Sequence, residues 1–141
     1  MRHVLFVCKH NAGRSQMAQA FFEKLAPAGV QAESAGTEPA GAIWPQVVET
    51  MREVGIEIGE REPKELSREM QLRADLAVTM GCGDACPYVA TTVVEWDIAD
   101  PAGKRPAEVR SIRDAVEGHV RTIIRERIED VDRGSAQLST G

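Results

Sequence analysis

Residues 4–18, Val-Leu-Phe-Val-Cys-Lys-His-Asn-Ala-Gly-Arg-Ser-Gln-Met-Ala, decide the fold. Together with His3, the first four make a short apolar run of β-forming residues that stops at a polar, glycine-containing loop, as a strand buried on both faces does. From Ser15 the period changes. Met17, Ala18, Phe21, Phe22 and Leu25 recur at three- and four-residue spacing, which predicts an amphipathic helix ending near Pro27 and Gly29. Strand, loop and helix in this order open a parallel α/β sheet.

Residues 8–15 join those two elements, and their composition fits an oxyanion. Successive backbone N–H groups at a helix amino terminus offer donors and the positive end of a dipole. Gly13 lets the backbone curl, and Ser15 is placed to cap the helix or to hydrogen-bond inward. Arg14, six positions after Cys8, adds a planar guanidinium able to grip two oxygens at once. The same field stabilises a thiolate, so nucleophile and binding site become one object. On this reading Cys8 attacks an oxyanion held by Lys9, His10, Asn11, Ala12, Gly13, Arg14 and Ser15. A Cys-x5-Arg spacing alone is short, and it is also met where the Cys is a small buried hydrophobe and the Arg a surface residue. The setting between an apolar strand and an amphipathic helix, with Ser directly after Arg, favours the loop. The side chains of Lys9 and His10 are expected to face solvent.

Downstream the pattern repeats. Residues 30–34 alternate as a second strand, followed by a loop rich in Pro and Gly, and residues 44–54 predict a helix with Pro45 in its first turn and Gly55 at its end. A charged region at 57–73 contains one short helix from Ser67. The run Leu76-Ala77-Val78-Thr79-Met80 predicts a third strand, which enters the turn-rich Gly81-Cys82-Gly83-Asp84-Ala85-Cys86-Pro87. Residues 91–96 predict a fourth strand ending at Asp97-Ile98-Ala99-Asp100-Pro101, and a long helix follows over 106–130, with Val109, Ile112, Val116, Val120, Ile123, Ile124 and Ile128 on one face. The expected architecture is a single three-layer α/β domain over 1–132, a four-stranded parallel sheet flanked by helices, with a short polar tail at 133–141. Ligands bind such sheets outside the carboxyl ends of the strands. The loops at 8–15, 81–87 and 97–101 each follow a strand, and they carry every cysteine and the Asp100-Pro101 pair. Trp44 and Trp96 are expected to pack, and the arginines of the last helix to form a solvated face paired with its own glutamates.

A chain of 141 residues suits one domain with a real core. Its net charge of -5 argues against general affinity for nucleic acid, so any anion site must be local. No apolar run approaches the roughly 20 residues of a membrane helix, and the amino terminus is a poor signal peptide. A cytoplasmic protein with neither nucleic-acid nor membrane partners is expected, and three cysteines in that setting point to catalysis, redox chemistry or metal rather than a disulfide framework.

With its Val-Leu-Phe-Val-Cys-x5-Arg-Ser opening at residues 4–15, the chain resembles the low-molecular-weight protein tyrosine phosphatases, and the resemblance runs from the first strand through the last helix. It implies Cys8 as nucleophile, Arg14 as oxyanion clamp and Asp100, before Pro101, as the acid that protonates a departing oxygen. Asn11 and Ser34 resemble positions that brace the loop from behind. Gln19 stands where some relatives place an acidic residue near a potassium ion, so no metal is expected.

The phosphatases of this family need no further thiols, whereas the arsenate reductases sharing their fold carry two more after the third strand. Cys82 and Cys86 stand there, and Ala102-Gly103-Lys104 follows Asp100-Pro101 in place of the paired tyrosines that phosphatases use for aromatic substrates. The resemblance therefore implies a thioredoxin-coupled arsenate reductase serving arsenic detoxification. Cys8 would form the adduct, Cys82 would release arsenite as a Cys8–Cys82 disulfide, and Cys86 would resolve it. It further implies no bound cofactor, an external thiol reductant with thioredoxin foremost, phosphate or sulfate as competing anions, and a monomer. Only three residues separate Cys82 from Cys86, fewer than in such reductases, which leaves open a scheme in which Cys82 alone is active. Also open are zinc ligation by the two thiols with His10, a static disulfide, a true phosphatase, and a non-catalytic, redox-sensitive oxyanion binder.

Overall fold

The computed structural model describes residues 2–81 and 92–129. Cys82 and Cys86, and the tail expected at 133–141, lie outside the described residues.

Four strands, β1 (His3–Cys8), β2 (Gln31–Gly36), β3 (Leu76–Met80) and β4 (Val93–Glu95), form a sheet in the order β2-β1-β3-β4. Every pairing is parallel, as the strand and helix alternation requires. β1 lies inside the sheet, which explains its unbroken apolar run. Val4, Phe6 and Cys8 face one side and Leu5 and Val7 the other, and both sides are covered. The larger core lies under α1 (Arg14–Leu25), α2 (Pro45–Arg52) and α4 (Pro106–Ile123), where Met17, Phe22, Val47, Met51, Val116 and Val120 are fully buried. Phe6 meets Phe22 edge-on at 5.7 Å and Trp96 at 5.8 Å. The short α3 (Arg68–Arg73) and its approach cover the other face, where Leu66 and Met70 pack on Leu5, Val7, Ala35 and Ala74.

Three details differ from the sequence reading. The fourth strand is shorter: residues 93–95 pair in register with β3, and Thr92 O and Trp96 N each add one bond to it, from Ala77 N and to Thr79 O, both at 2.9 Å. α4 ends at Ile123 and continues as a π-helical turn over Ile124–Glu129, which keeps Ile124 and Ile128 in the core. The arginines of α4 do not all pair within it. Arg121 meets Glu117 one turn away, but Arg110 and Arg113 both reach Glu53, at 2.9 Å each, and so tie α4 to the end of α2. Among the described residues no helix is long and apolar enough to cross a membrane.

At the opposite edge of the sheet from the strand ends, Glu33 accepts a bidentate pair from Arg73 and a 2.5 Å contact from His3. The Arg73 bonds, assisted by His3, hold its carboxyl at about 2, against an ordinary 4.5. A carboxylate held low contributes stability that is complete above its unfolded value and disappears as pH falls through the folded one. Glu33→Gln should therefore lower stability by about 1–2 kcal/mol at pH 7, allowing for the solvent that still reaches the pair. The deficit should close between pH 4.5 and about 2. Urea unfolding of both proteins across that range checks this, and a deficit independent of pH would contradict it.

Candidate active site

Register brings the site together. Cys8 ends β1 and lies abreast of Gly36, which ends β2, and of Met80, which ends β3. The following loop wraps over this edge with its carbonyls turned away. Those of Cys8, Lys9, His10 and Ala12 accept from the N–H groups of Thr37, Glu38, Ala40 and Trp44, at 3.3, 2.8, 3.0 and 3.2 Å. The N–H of Asn11 points at the Cys8 sulfur, 3.3 Å away, and among the described residues those of His10, Ala12 and Gly13 have no acceptor. α1 starts at Arg14 and its first internal bond is Met17 N to Gly13 O, so the N–H groups of Arg14, Ser15 and Gln16 are also uncommitted to the helix. A loop with its carbonyls bonded outward and its amides unused is a cradle for an oxyanion.

Two residues make that curl possible. Asn11 adopts φ +51°, the left-handed region that Asn tolerates better than most residues. Gly36 is needed for clearance, since a Cβ there would stand 2.7 Å from Lys9 O and 2.9 Å from Asn11 N. The polar brace is buried. Ser15 Oγ lies 2.9 Å from Cys8 Sγ and receives a 2.7 Å bond from Asn11 Nδ2, while Asn11 Oδ1 accepts from Gln16 Nε2 at 3.0 Å and from Lys64 N at 2.9 Å. Asn11 thus braces the loop as expected. Ser34 does not touch it: its hydroxyl donates to Gln19 Oε1 at 2.6 Å, because β2 places it level with the middle of α1.

Arg14 is almost fully buried. Its Nη1 donates to Ile98 O at 3.1 Å, and its Nη2 stands 3.6 Å from Asp100 Oδ2. Asp100 is half-buried, receives Ala102 N at 3.0 Å, and precedes Pro101, whose ring packs so tightly on Gly13 that a Cβ there would lie 2.7 Å from Pro101 Cγ. Cys8, Arg14 and Asp100 are therefore brought together from β1, α1 and the loop after β4. Lys9 is exposed beside Glu38, as expected, and reaches the site only through its backbone. His10 is less exposed than expected. Its ring packs on Trp44 at 5.6 Å, and its Nδ1 is buried without a partner among the described residues.

Sequence reasoning missed Gly36, Gly81 and Gln16. Gly81, the residue before Cys82, has φ +72° and lies against Arg14, so that a Cβ there would stand 2.6 Å from Arg14 Nη1. A glycine ending each of two strands was a usable signal for close backbone approach. Gln16, a polar residue in the first turn of a helix, carried none.

Residues 3–134 match the family described as low molecular weight phosphotyrosine protein phosphatase. A protein of Halobacterium salinarum named putative arsenate reductase is 39% identical over 121 residues, 82% of this chain and 85% of its own length. A thioredoxin-dependent arsenate reductase of Corynebacterium glutamicum superposes with a TM-score of 0.75 at 35% identity, covering 99% of this chain, and this chain spans 63% of that one. A structure titled an arsenate reductase in the phosphate binding state superposes with a TM-score of 0.81 at 29% identity, covering 89% of this chain and 98% of that one.

Proposed function

The chain belongs to the low molecular weight phosphotyrosine protein phosphatase family, and from that premise we propose that it is an arsenate reductase of the thioredoxin-coupled type. Arsenate shares the charge and tetrahedral shape of phosphate, so one cradle of amides and one guanidinium serve both, and phosphate and sulfate compete. One observation carries reduction over hydrolysis: of the two further thiols, Cys82 follows directly on Gly81, whose backbone lies against Arg14, and Cys86 comes four residues later.

The chemistry follows from the residues. The Cys8 thiolate bonds to arsenic and one arsenate oxygen departs, protonated by Asp100 and lost as water. Cys82 thiolate then attacks the Cys8 sulfur. The sulfur–arsenic bond breaks with its electron pair left on arsenic, which falls from As(V) to As(III) and leaves as arsenite, while Cys8 and Cys82 become a disulfide. Cys86 attacks Cys82 and frees Cys8, and the dithiol of thioredoxin reduces the Cys82–Cys86 disulfide. Such a relay belongs in a reducing cytoplasm, and nothing in it requires more than one copy of the chain.

Purified protein with thioredoxin, its reductase and NADPH should oxidise NADPH only when arsenate is added. Hydrolysis of aryl phosphates without any reductant, and no arsenate-dependent oxidation, would replace this reading by a phosphatase. Retained anion binding without either activity would leave an oxyanion sensor. Cys86→Ser should limit the enzyme to one arsenite per chain with thioredoxin. Sustained turnover of that variant would break the three-thiol relay.

A further inference from the structure

Gln16 is buried, 2% exposed, in the first turn of α1. Its amide orientation is determined by its neighbours. Nε2 faces two oxygens, Asn11 Oδ1 at 3.0 Å and Glu62 O at 3.3 Å, and neither can donate. Turning the amide over would set Oε1 against both, so the side chain keeps Nε2 there even though Oε1 is left buried with no partner among the described residues, in a small cleft lined by Gln19, Arg61, Glu62 and Lys64. That arrangement propagates. With Gln16 Nε2 and Lys64 N both donating to Oδ1, Asn11 must present Nδ2 to Ser15 Oγ, at 2.7 Å. The Ser15 oxygen then accepts from Asn11, and its own proton is left for the Cys8 sulfur at 2.9 Å. A donor aimed at sulfur favours the thiolate.

We propose that Gln16 is a positioning residue that sets the polarity of this chain, from Gln16 through Asn11 and Ser15 to Cys8, and so delivers the Ser15 proton to the reactive sulfur. The inference rests on the reading of Cys8 as nucleophile, but it concerns the state of the thiol before any substrate arrives. Gln16→Glu offers only acceptors to Asn11 Oδ1 and Glu62 O. Asn11 then gains by turning its Nδ2 toward the introduced carboxylate, its Oδ1 takes the Ser15 proton, and the sulfur loses its donor. Lys64 N opposes the turn, which makes the reversal partial. Gln16→Met removes one of the two donors to Oδ1 and leaves Lys64 N in place, so it acts in the same direction but less. The other charged and titratable groups around Cys8 and the cleft are the same in all three proteins: Lys9 and His10 in the loop, Arg14 on α1, Asp100 beyond β4, and Arg61, Glu62 and Lys64 behind the loop.

The test is the pH profile of Cys8 alkylation by iodoacetamide in the full chain without arsenate, read at the Cys8 peptide by mass spectrometry, with thermal unfolding recorded alongside. The profile should move to higher pH by about one unit in Gln16→Glu, a tenfold slowing at a fixed pH below the midpoint, and by a smaller step in Gln16→Met. Any other order overturns the proposal. A Met variant that shifts as far as the Glu variant would show packing rather than polarity. Should Gln16→Glu not fold, an unmoved profile in Gln16→Met is sufficient to reject it. Because no arsenate is present, failure here is separate from failure of the reductase reading, which the NADPH assay decides.

Discussion

Cys8→Ser should abolish arsenate-dependent NADPH oxidation, with a fall on the order of 10⁴- to 10⁶-fold and so to the detection limit, in a protein that should still fold and still bind phosphate. The hydroxyl is a poor nucleophile at neutral pH, and it cannot become half of a disulfide, so neither adduct formation nor arsenite release has a substitute route. The cradle itself does not depend on sulfur. Its carbonyls are bonded outward to Thr37, Glu38, Ala40 and Trp44, its left-handed residue is Asn11, and the Asn11 amide is held by Gln16 and Lys64. The substitution also leaves volume nearly unchanged at a residue that is 2% exposed, which protects the β1 end. Titration calorimetry with phosphate and the coupled assay separate the two effects. Residual turnover above background in the variant would remove Cys8 from its role, and loss of phosphate binding would mean that the sulfur itself organises the loop.

Arg14→Lys comes next in size, with a fall of about 10²- to 10³-fold in kcat/KM for arsenate and little change in stability. Charge is conserved in this substitution, so the effect isolates geometry. Arg14 commits Nη1 to Ile98 O at 3.1 Å and still has Nη2 and Nε to form a fork at an oxyanion, with Asp100 3.6 Å from Nη2. An ammonium has one centre and must choose between Ile98 O and the anion. Gly81 adds a second constraint, because its backbone approaches Nη1 of the guanidinium too closely for any Cβ. Steady-state kinetics would settle the matter, and a loss under tenfold would show that a point charge suffices.

Much of this was legible in the chain alone, for identifiable reasons. β1 could be read because burial on both faces forces an unbroken apolar run, and α1 because one face packs on Phe6 and its neighbours, which forces the 3.6-residue period. The outward carbonyls of the Cys8 loop could not be read, since their partners at 37–44 are some 30 residues away and are backbone groups with no side-chain signature. Gln16 was unreadable for a related reason. It looks like any polar residue in a first helical turn until the segment at 62–64 is laid behind the loop. Ser34 failed the other way: the family resemblance implied a brace, and the register of β2 against α1 gave its hydroxyl to Gln19 instead.

Local sequence by itself determined the parallel α/β order, the proposed nucleophile in a turn between strand and helix, and the presence of two further thiols after β3, since each depends on residues that are neighbours along the chain. Tertiary structure alone decided which groups meet across it. It set Asp100 beside Arg14, passed Gly81 over the clamp on the way to Cys82, and ran a buried hydrogen-bond chain from residue 16 to the sulfur of residue 8. Those contacts join segments up to 86 residues apart (from 14 to 100), and no periodicity or spacing encodes them. They arise when three strands end side by side on one edge of the sheet.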